Sequence, residues 1–106
     1  MDLRQSLQVI TRTGSLVVGF RETMRKVLQR KAVAVVASAH SSPQLLARLQ
    51  VVAKALDVPV IVTELTPSEL GLALRKPFST SFIAVVDAGS SDILDHVRSE
   101  TAWAKE

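Results

Sequence analysis

The sequence predicts an α/β sandwich, with helices on both faces of a small sheet. Three observations carry this. Apolar residues recur at helical spacing in several separate stretches. Short apolar, β-branched runs lie between those stretches. The two kinds of segment alternate along the chain as helix, strand, helix, strand, helix, strand, helix, strand, helix.

Residues 2–13 carry Leu3, Leu7 and Ile10 one turn apart, and Thr13-Gly14 reads as the stop of a first helix. Leu16–Val18 is a short strand. Gly19 breaks it, and Phe20, Met24, Val27 and Leu28 then mark a helix from about Phe20 to Arg30. Ala32–Ala37 is a continuous apolar run, the pattern of a strand buried on both faces. Ser42 as N-cap and Pro43 in the first helical position open the next helix. Leu45, Leu46, Leu49, Val52, Ala53 and Leu56 form its stripe, Asp57 and Pro59 end it, and Val60–Thr63 is a third strand.

Leu65-Thr66-Pro67-Ser68-Glu69-Leu70 is the clearest local signal. Thr66 caps, Glu69 reaches back to complete a capping box, and Leu65 and Leu70 stand where a hydrophobic staple belongs. A short helix from about Pro67 to Leu74 follows, stopped by Arg75-Lys76-Pro77. Phe78–Ser81 is a loop and Phe82–Val86 the last strand. Asp87-Ala88-Gly89 turns the chain, and Ser90 or Ser91 caps a final helix bearing Ile93, Leu94 and Val97. No linker or repeat interrupts the 106 residues, so a single domain over 1–106 is expected, its end fraying from about Glu100.

Several function classes fall away. No apolar run approaches the ~20 residues of a membrane span, and the start, MDLRQSLQVI, has no basic leader before a long apolar stretch, so no signal peptide is expected. With no cysteine there is no disulfide, thiolate metal site or cysteine nucleophile. His40 and His96 are far apart and without ligand spacing, so no metal or other cofactor is expected. Asp92 and Asp95 fit the favourable start of the last helix. Gly14 to Gly19 has the glycine spacing of a phosphate-binding P-loop, but Phe20-Arg21 stands where Lys and Ser or Thr are required. Without a nucleophile–base pair, an enzyme is not expected.

Charge points elsewhere. Net charge is +3 and the pI near 9.8. Before Asp87 the chain holds eleven bases against five acids, and from Asp87 onward two bases against five acids. A basic body of this kind suits a polyanion on one side of the fold. The surplus concentrates in the second helix, where Arg21, Arg25, Lys26, Arg30 and Lys31 face only Glu22. A solvated helix face is the plain explanation of such a run. Here, however, the bases follow a glycine-marked helix start, whose free N–H groups suit an anion. Phe78 in its Ser/Thr loop could offer an aromatic surface to an unstacked base, or be buried in the core.

Thr13-Gly14, Val17-Val18-Gly19-Phe20-Arg21, the Ala32–Ala37 strand, Glu69-Leu70-Gly71 and Ala84-Val85-Val86-Asp87-Ala88-Gly89 with Ser91-Asp92-Ile93-Leu94 occur together in a distinctive order. In this the chain resembles the L thirty-e family of archaeal and eukaryotic large-subunit ribosomal proteins, within the kink-turn-binding superfamily that includes L seven-Ae. The resemblance covers about residues 3–97. It implies a three-layer α/β/α sandwich with a four-stranded mixed sheet, and a structural, non-enzymatic protein that binds a kink-turn, a sharply bent RNA helix–internal loop–helix. It further implies RNA contacts at Gly19, Arg21, Glu22 and Arg25, at His40 and Ser42 in the loop after the second strand, and at Phe78, Ser79, Thr80 and Ser81 beside a flipped-out nucleotide. Ribosomal RNA and neighbouring ribosomal proteins are the implied partners, in the cytoplasmic ribosome, with a monomer outside it. Arg21-Glu22 stands where superfamily members outside this branch often carry Asn-Glu. Two alternatives stand beside this reading: a kink-turn binder of a non-ribosomal ribonucleoprotein, and an α/β protein-interaction module.

Overall fold

The computed structural model describes residues 2–94. They form α1 (Leu3–Thr13), β1 (Ser15–Val18), α2 (Phe20–Leu28), β2 (Ala34–Ser38), α3 (Pro43–Ala55), β3 (Val60–Thr63), α4 (Pro67–Ala73) and β4 (Phe82–Asp87). The sheet runs in the order β1-β4-β2-β3, with β4 antiparallel to both of its neighbours and β2 parallel to β3. The last strand in sequence is thus inserted between the first two. Of the expected final helix, only Ile93 and Leu94 fall among the described residues, and Asp95, His96, Val97 and the end of the chain lie outside them.

Strand alternation separates two cores. Ala34 and Val36 of β2, with Ile83 and Val85 of β4, face α1 and α4, where Leu7, Ile10, Leu70 and Ile93 complete one core. Val35, Ala37, Phe82 and Ala84 face the other way, onto Val27 of α2 and Leu49 and Ala53 of α3. Every residue of β2 is buried, which is why Ala34–Ala37 is an unbroken apolar run. The result is a three-layer α/β/α sandwich with a mixed four-stranded sheet. Each fully buried Leu, Ile or Val contributes about 1.5–3 kcal/mol through removal of its side chain from water.

Local chemistry sets the helix ends. Thr66 Oγ1 accepts the Glu69 N–H at 3.2 Å while Glu69 Oε1 accepts the Thr66 N–H at 3.0 Å. That backbone bond, helped by the nearby Arg4 guanidinium, holds the Glu69 carboxyl below its ordinary range. Its contribution to stability is present at neutral pH and is lost as pH falls through the lowered value. A second capping box, Asp2 with Gln5, starts α1. Three helices exit through left-handed residues that are not glycine: Arg30, Asp57 and Arg75, with φ of 59°, 57° and 57°. Each sits in a Schellman motif, closed by Lys31 N–H to Lys26 O, Val58 N–H to Ala53 O and Lys76 N–H to Gly71 O. Helix α2 therefore ends at Leu28, short of Arg30, and β2 starts at Ala34, because residues 29–33 make this exit.

One buried group is unsatisfied. Thr23 is fully buried in α2, and its hydroxyl has no partner among the described residues. Thr23→Val replaces that hydroxyl with a methyl of similar shape. It is expected to raise stability by about 1 kcal/mol, because no hydrogen bond is lost. Equilibrium denaturation checks this, and a loss of stability would show that the hydroxyl has a role in the folded state.

Candidate nucleic-acid interface

The sheet register brings together segments far apart in sequence. Val18, the last residue of β1, pairs with Ile83 near the start of β4. Phe82 pairs with Ala37, and Ser38 pairs with Thr63. The exits of β1, β2 and β3 and the entry of β4 therefore share one end of the sandwich. Gly19–Glu22, His40–Ser42 and Phe78–Ser81 all lie there, as does Glu64.

Gly19 makes the turn from β1 into α2. Its φ of 94° and ψ of 154° belong to a region that glycine alone adopts readily. Its N–H donates to Phe82 O at 2.8 Å, and its carbonyl accepts the Thr23 N–H at 3.0 Å, the first bond of the helix. No side chain caps this start, whereas α1, α3 and α4 are each capped by one. The N–H groups of Phe20, Arg21 and Glu22 thus have no partner within the helix, and they sit at its positive end. Arg21 is exposed. Arg25 Nη1 lies 3.5 Å from Glu22 Oε1, one turn back, and both side chains are open to solvent.

Beside this helix start is a groove of about 400 Å³, walled by Gly19, Phe20, Leu45 and the stretch Phe78–Phe82. Phe20 packs edge-on against Phe82, ring centroids 5.3 Å apart. Phe78 is 52% exposed, so of the two sequence readings, core or surface, it takes the surface one. Its loop is held from beneath. The Thr80 N–H donates to Pro67 O at 3.1 Å and Ser38 N–H donates to Ser81 O at 2.9 Å. Thr80 is buried and its hydroxyl donates to Phe82 O at 3.1 Å, so that side chain braces the loop from inside. Ser79 is exposed, with its hydroxyl 3.4 Å from that of Ser68.

The other two positions are arranged differently. His40 is exposed, its Nε2 3.6 Å from Glu64 Oε2, and its N–H donates to the buried Ser38 hydroxyl at 3.0 Å. Ser42 caps α3, its hydroxyl accepting from Leu45 N–H at 3.5 Å. The sequence reading did not place Leu45, Phe20 or Gly71 at this site. Leu45 and Phe20 carry the ordinary signal of a core stripe, and nothing in their spacing marks them as groove walls. Gly71 was visible only as part of Glu69-Leu70-Gly71. A Cβ there would stand 2.1 Å from Phe78 O, so its bare backbone is what lets α4 support the loop.

A corner of unpaired N–H groups, flanked by cations and an apolar groove, can hold an anionic oxygen and an unstacked ring together. Known proteins are similar to this chain in sequence and in fold. The family model described as ribosomal protein L7Ae/L30e/S12e/Gadd45 family matches residues 1–95. The chain is 32% identical over 95 residues to a large ribosomal subunit protein eL30 of Aeropyrum pernix, covering 90% of this chain and 95% of that one. It is 33% identical over 94 residues to the protein of that name from Pyrobaculum neutrophilum, covering 89% and 93%. Among solved structures, a 15.5kD RNA binding protein of Giardia lamblia superposes with a TM-score of 0.79 at 20% identity, covering 94% of this chain and 85% of that one. A Bacillus halodurans protein of unknown function superposes at 0.74 and 21% identity over all of both chains.

Proposed function

Because the chain belongs to the ribosomal protein L7Ae/L30e/S12e/Gadd45 family, we propose that it is a non-enzymatic RNA-binding protein of the large ribosomal subunit that holds a kink-turn of ribosomal RNA. The observation that carries this is the uncapped start of α2, set beside an apolar groove and followed by exposed arginines. The relatives named as large-subunit proteins and the solved RNA-binding protein of the same fold support the class. The site of action is then the cytoplasmic ribosome, with ribosomal RNA and adjacent ribosomal proteins as partners and a monomer before assembly.

The mechanism is capture of a shape. Arg21 and Arg25 neutralise phosphates crowded at the bend. The free N–H groups at the start of α2 donate to phosphate or base acceptors, and the Glu22 carboxylate accepts from base donors. Such edges are open in an internal loop and hidden in the narrow groove of regular A-form RNA. The groove between Phe20 and the Phe78–Ser81 loop receives the extruded base against its apolar wall. A protein that binds only the bent form shifts an existing equilibrium toward it.

Titration of a kink-turn RNA against a straight duplex at physiological salt tests the proposal. Equal weak binding to both ends the kink-turn claim and leaves a protein-interaction module. Recovery of guide RNA alone in a native pull-down moves the protein out of the ribosome. Arg21→Ala is expected to weaken kink-turn binding about tenfold or more, the size of one charge-assisted hydrogen bond. Its melting temperature is expected to stay unchanged, because Arg21 is exposed. A large fall in melting temperature would make Arg21 a structural residue.

A further inference from the structure

The two outer layers of the sandwich differ in charge. Residues 20–57, which build the α2–α3 layer, carry seven bases and two acids. The opposite layer, α1 with its cap Asp2 and α4 with the segments 64–76 and 87–94, carries four bases and five acids. The strands between them bear no base, so the basic surplus of the described residues lies on one broad face.

Arg21 and Arg25 account for only part of that surplus. Lys26, Arg30, Lys31, Arg48 and Lys54 remain, and among the described residues none of them enters an ion pair. All but Lys26 are exposed. Their placement follows from the topology. Helices α2 and α3 both begin at the end of the sheet that holds the groove, pack beside each other over the same core, and run away from that end. Arg48 lies near the middle of α3, Lys54 at its far end, and Arg30 and Lys31 just beyond the far end of α2. At 1.5 Å per residue the nine residues of α2 span about 13 Å and the thirteen of α3 about 20 Å. The cations therefore form a track that starts beside the groove and leads away from it over about the length of a helix.

We infer that this α2–α3 face is a second RNA-contacting surface, which takes the phosphate backbone of a double-helical stem leaving the bend held at Gly19. The inference rests on the RNA-binding reading and extends it from one corner to a whole face. The charge complement fixes the occupant. Unpaired cations on flexible stems suit evenly spaced phosphates and carry no sequence preference. Leu28 and Val51 are also exposed on these helices, and as apolar side chains they do not compete for charge.

Salt-dependent binding tests it. The probes are a kink-turn RNA with minimal stems, two versions in which one or the other stem is lengthened by a helical turn, and a straight RNA duplex. In the wild type, lengthening one of the stems is expected to tighten binding and steepen the salt dependence. The variant Arg30→Gln/Lys31→Gln/Arg48→Gln/Lys54→Gln is expected to lose that gain, its salt slope falling by about one for each phosphate contact removed. Its affinity for the minimal kink-turn is expected to stay unchanged. Arg48→Gln/Lys54→Gln, confined to the exposed side of α3, repeats the test with less perturbation of the fold. No gain from either lengthened stem, or a gain that both variants keep, overturns the proposal. If the minimal kink-turn binds no better than the straight duplex, the kink-turn reading fails separately. The track is then judged on the duplex alone at low salt: loss of that binding in the variants upholds it, and retention overturns it. Wild-type binding to anionic phosphatidylglycerol vesicles without binding to the duplex also overturns it.

Discussion

Replacing Gly71 with alanine is expected to lower stability by about 3 kcal/mol and to dislodge the loop beside the groove, at the upper end of what overpacking costs. The new methyl would stand 2.1 Å from Phe78 O, 3.1 Å from Phe78 C and 3.4 Å from Ser79 Cα. These are backbone atoms, so no flexible side chain can swing aside. Either α4 or the loop must move. The loop has less to hold it: the Thr80 bond to Pro67 and the Ser38 bond to Ser81 against the buried anchors Leu70, Ala73 and Leu74 of the helix and its cap. Denaturant titration measures the first effect. Faster amide exchange at Thr80 measures the second, since its N–H donates to the segment that opens α4. A loss below 1 kcal/mol with unchanged exchange would mean that the contact relaxes without cost.

Gly19→Ala is expected to act for the opposite reason. No atom lies within 4 Å of the position a Cβ would take, so the substitution meets open space. The cost is the backbone itself, held at φ 94° and ψ 154°, and amounts to about 1–3 kcal/mol. Relief requires the first turn of α2 to rotate, which would misdirect the free N–H groups of Phe20, Arg21 and Glu22. RNA affinity is therefore expected to fall further than stability alone would explain. D-alanine at position 19, introduced by chemical synthesis, separates the two causes. It favours positive φ, so it is expected to retain both stability and binding. Failure of D-alanine to do so would show that the site needs the space, not the conformation.

Much of the fold was legible because its signals are local. Thr66-Pro67-Ser68-Glu69 contains every donor and acceptor of its capping box, and Ser42-Pro43 fixes the start of α3 in two residues. The unbroken Ala32–Ala37 run anticipated a strand with both faces covered, although the Schellman exit of α2 delays its start to Ala34. The corresponding start of α1 escaped notice: Asp2 and Gln5 form a capping box that uses glutamine. Strand order is a different kind of fact. That β4 enters between β1 and β2 depends on which apolar faces find each other across some fifty residues, and no window of sequence contains that information. The meeting of Gly19, His40 and Phe78 at one end of the sheet follows from that order. Thr80 illustrates the limit within a single loop, since Ser79 and Thr80 look alike in sequence while one is exposed and the other buried.

The left-handed exits at Arg30, Asp57 and Arg75 have a bearing on how this protein can change. Each L-residue there sustains about 1–2 kcal/mol that glycine would release. At Arg30 and Arg75 the same substitution would also discharge the surface, so tolerance of heat and attraction for polyanions pull two codons in opposite directions. Asp57 faces no such conflict. Drift toward glycine is free to occur there first, and a lineage that hardens its version of this domain without weakening its hold on nucleic acid has its simplest opening at that residue.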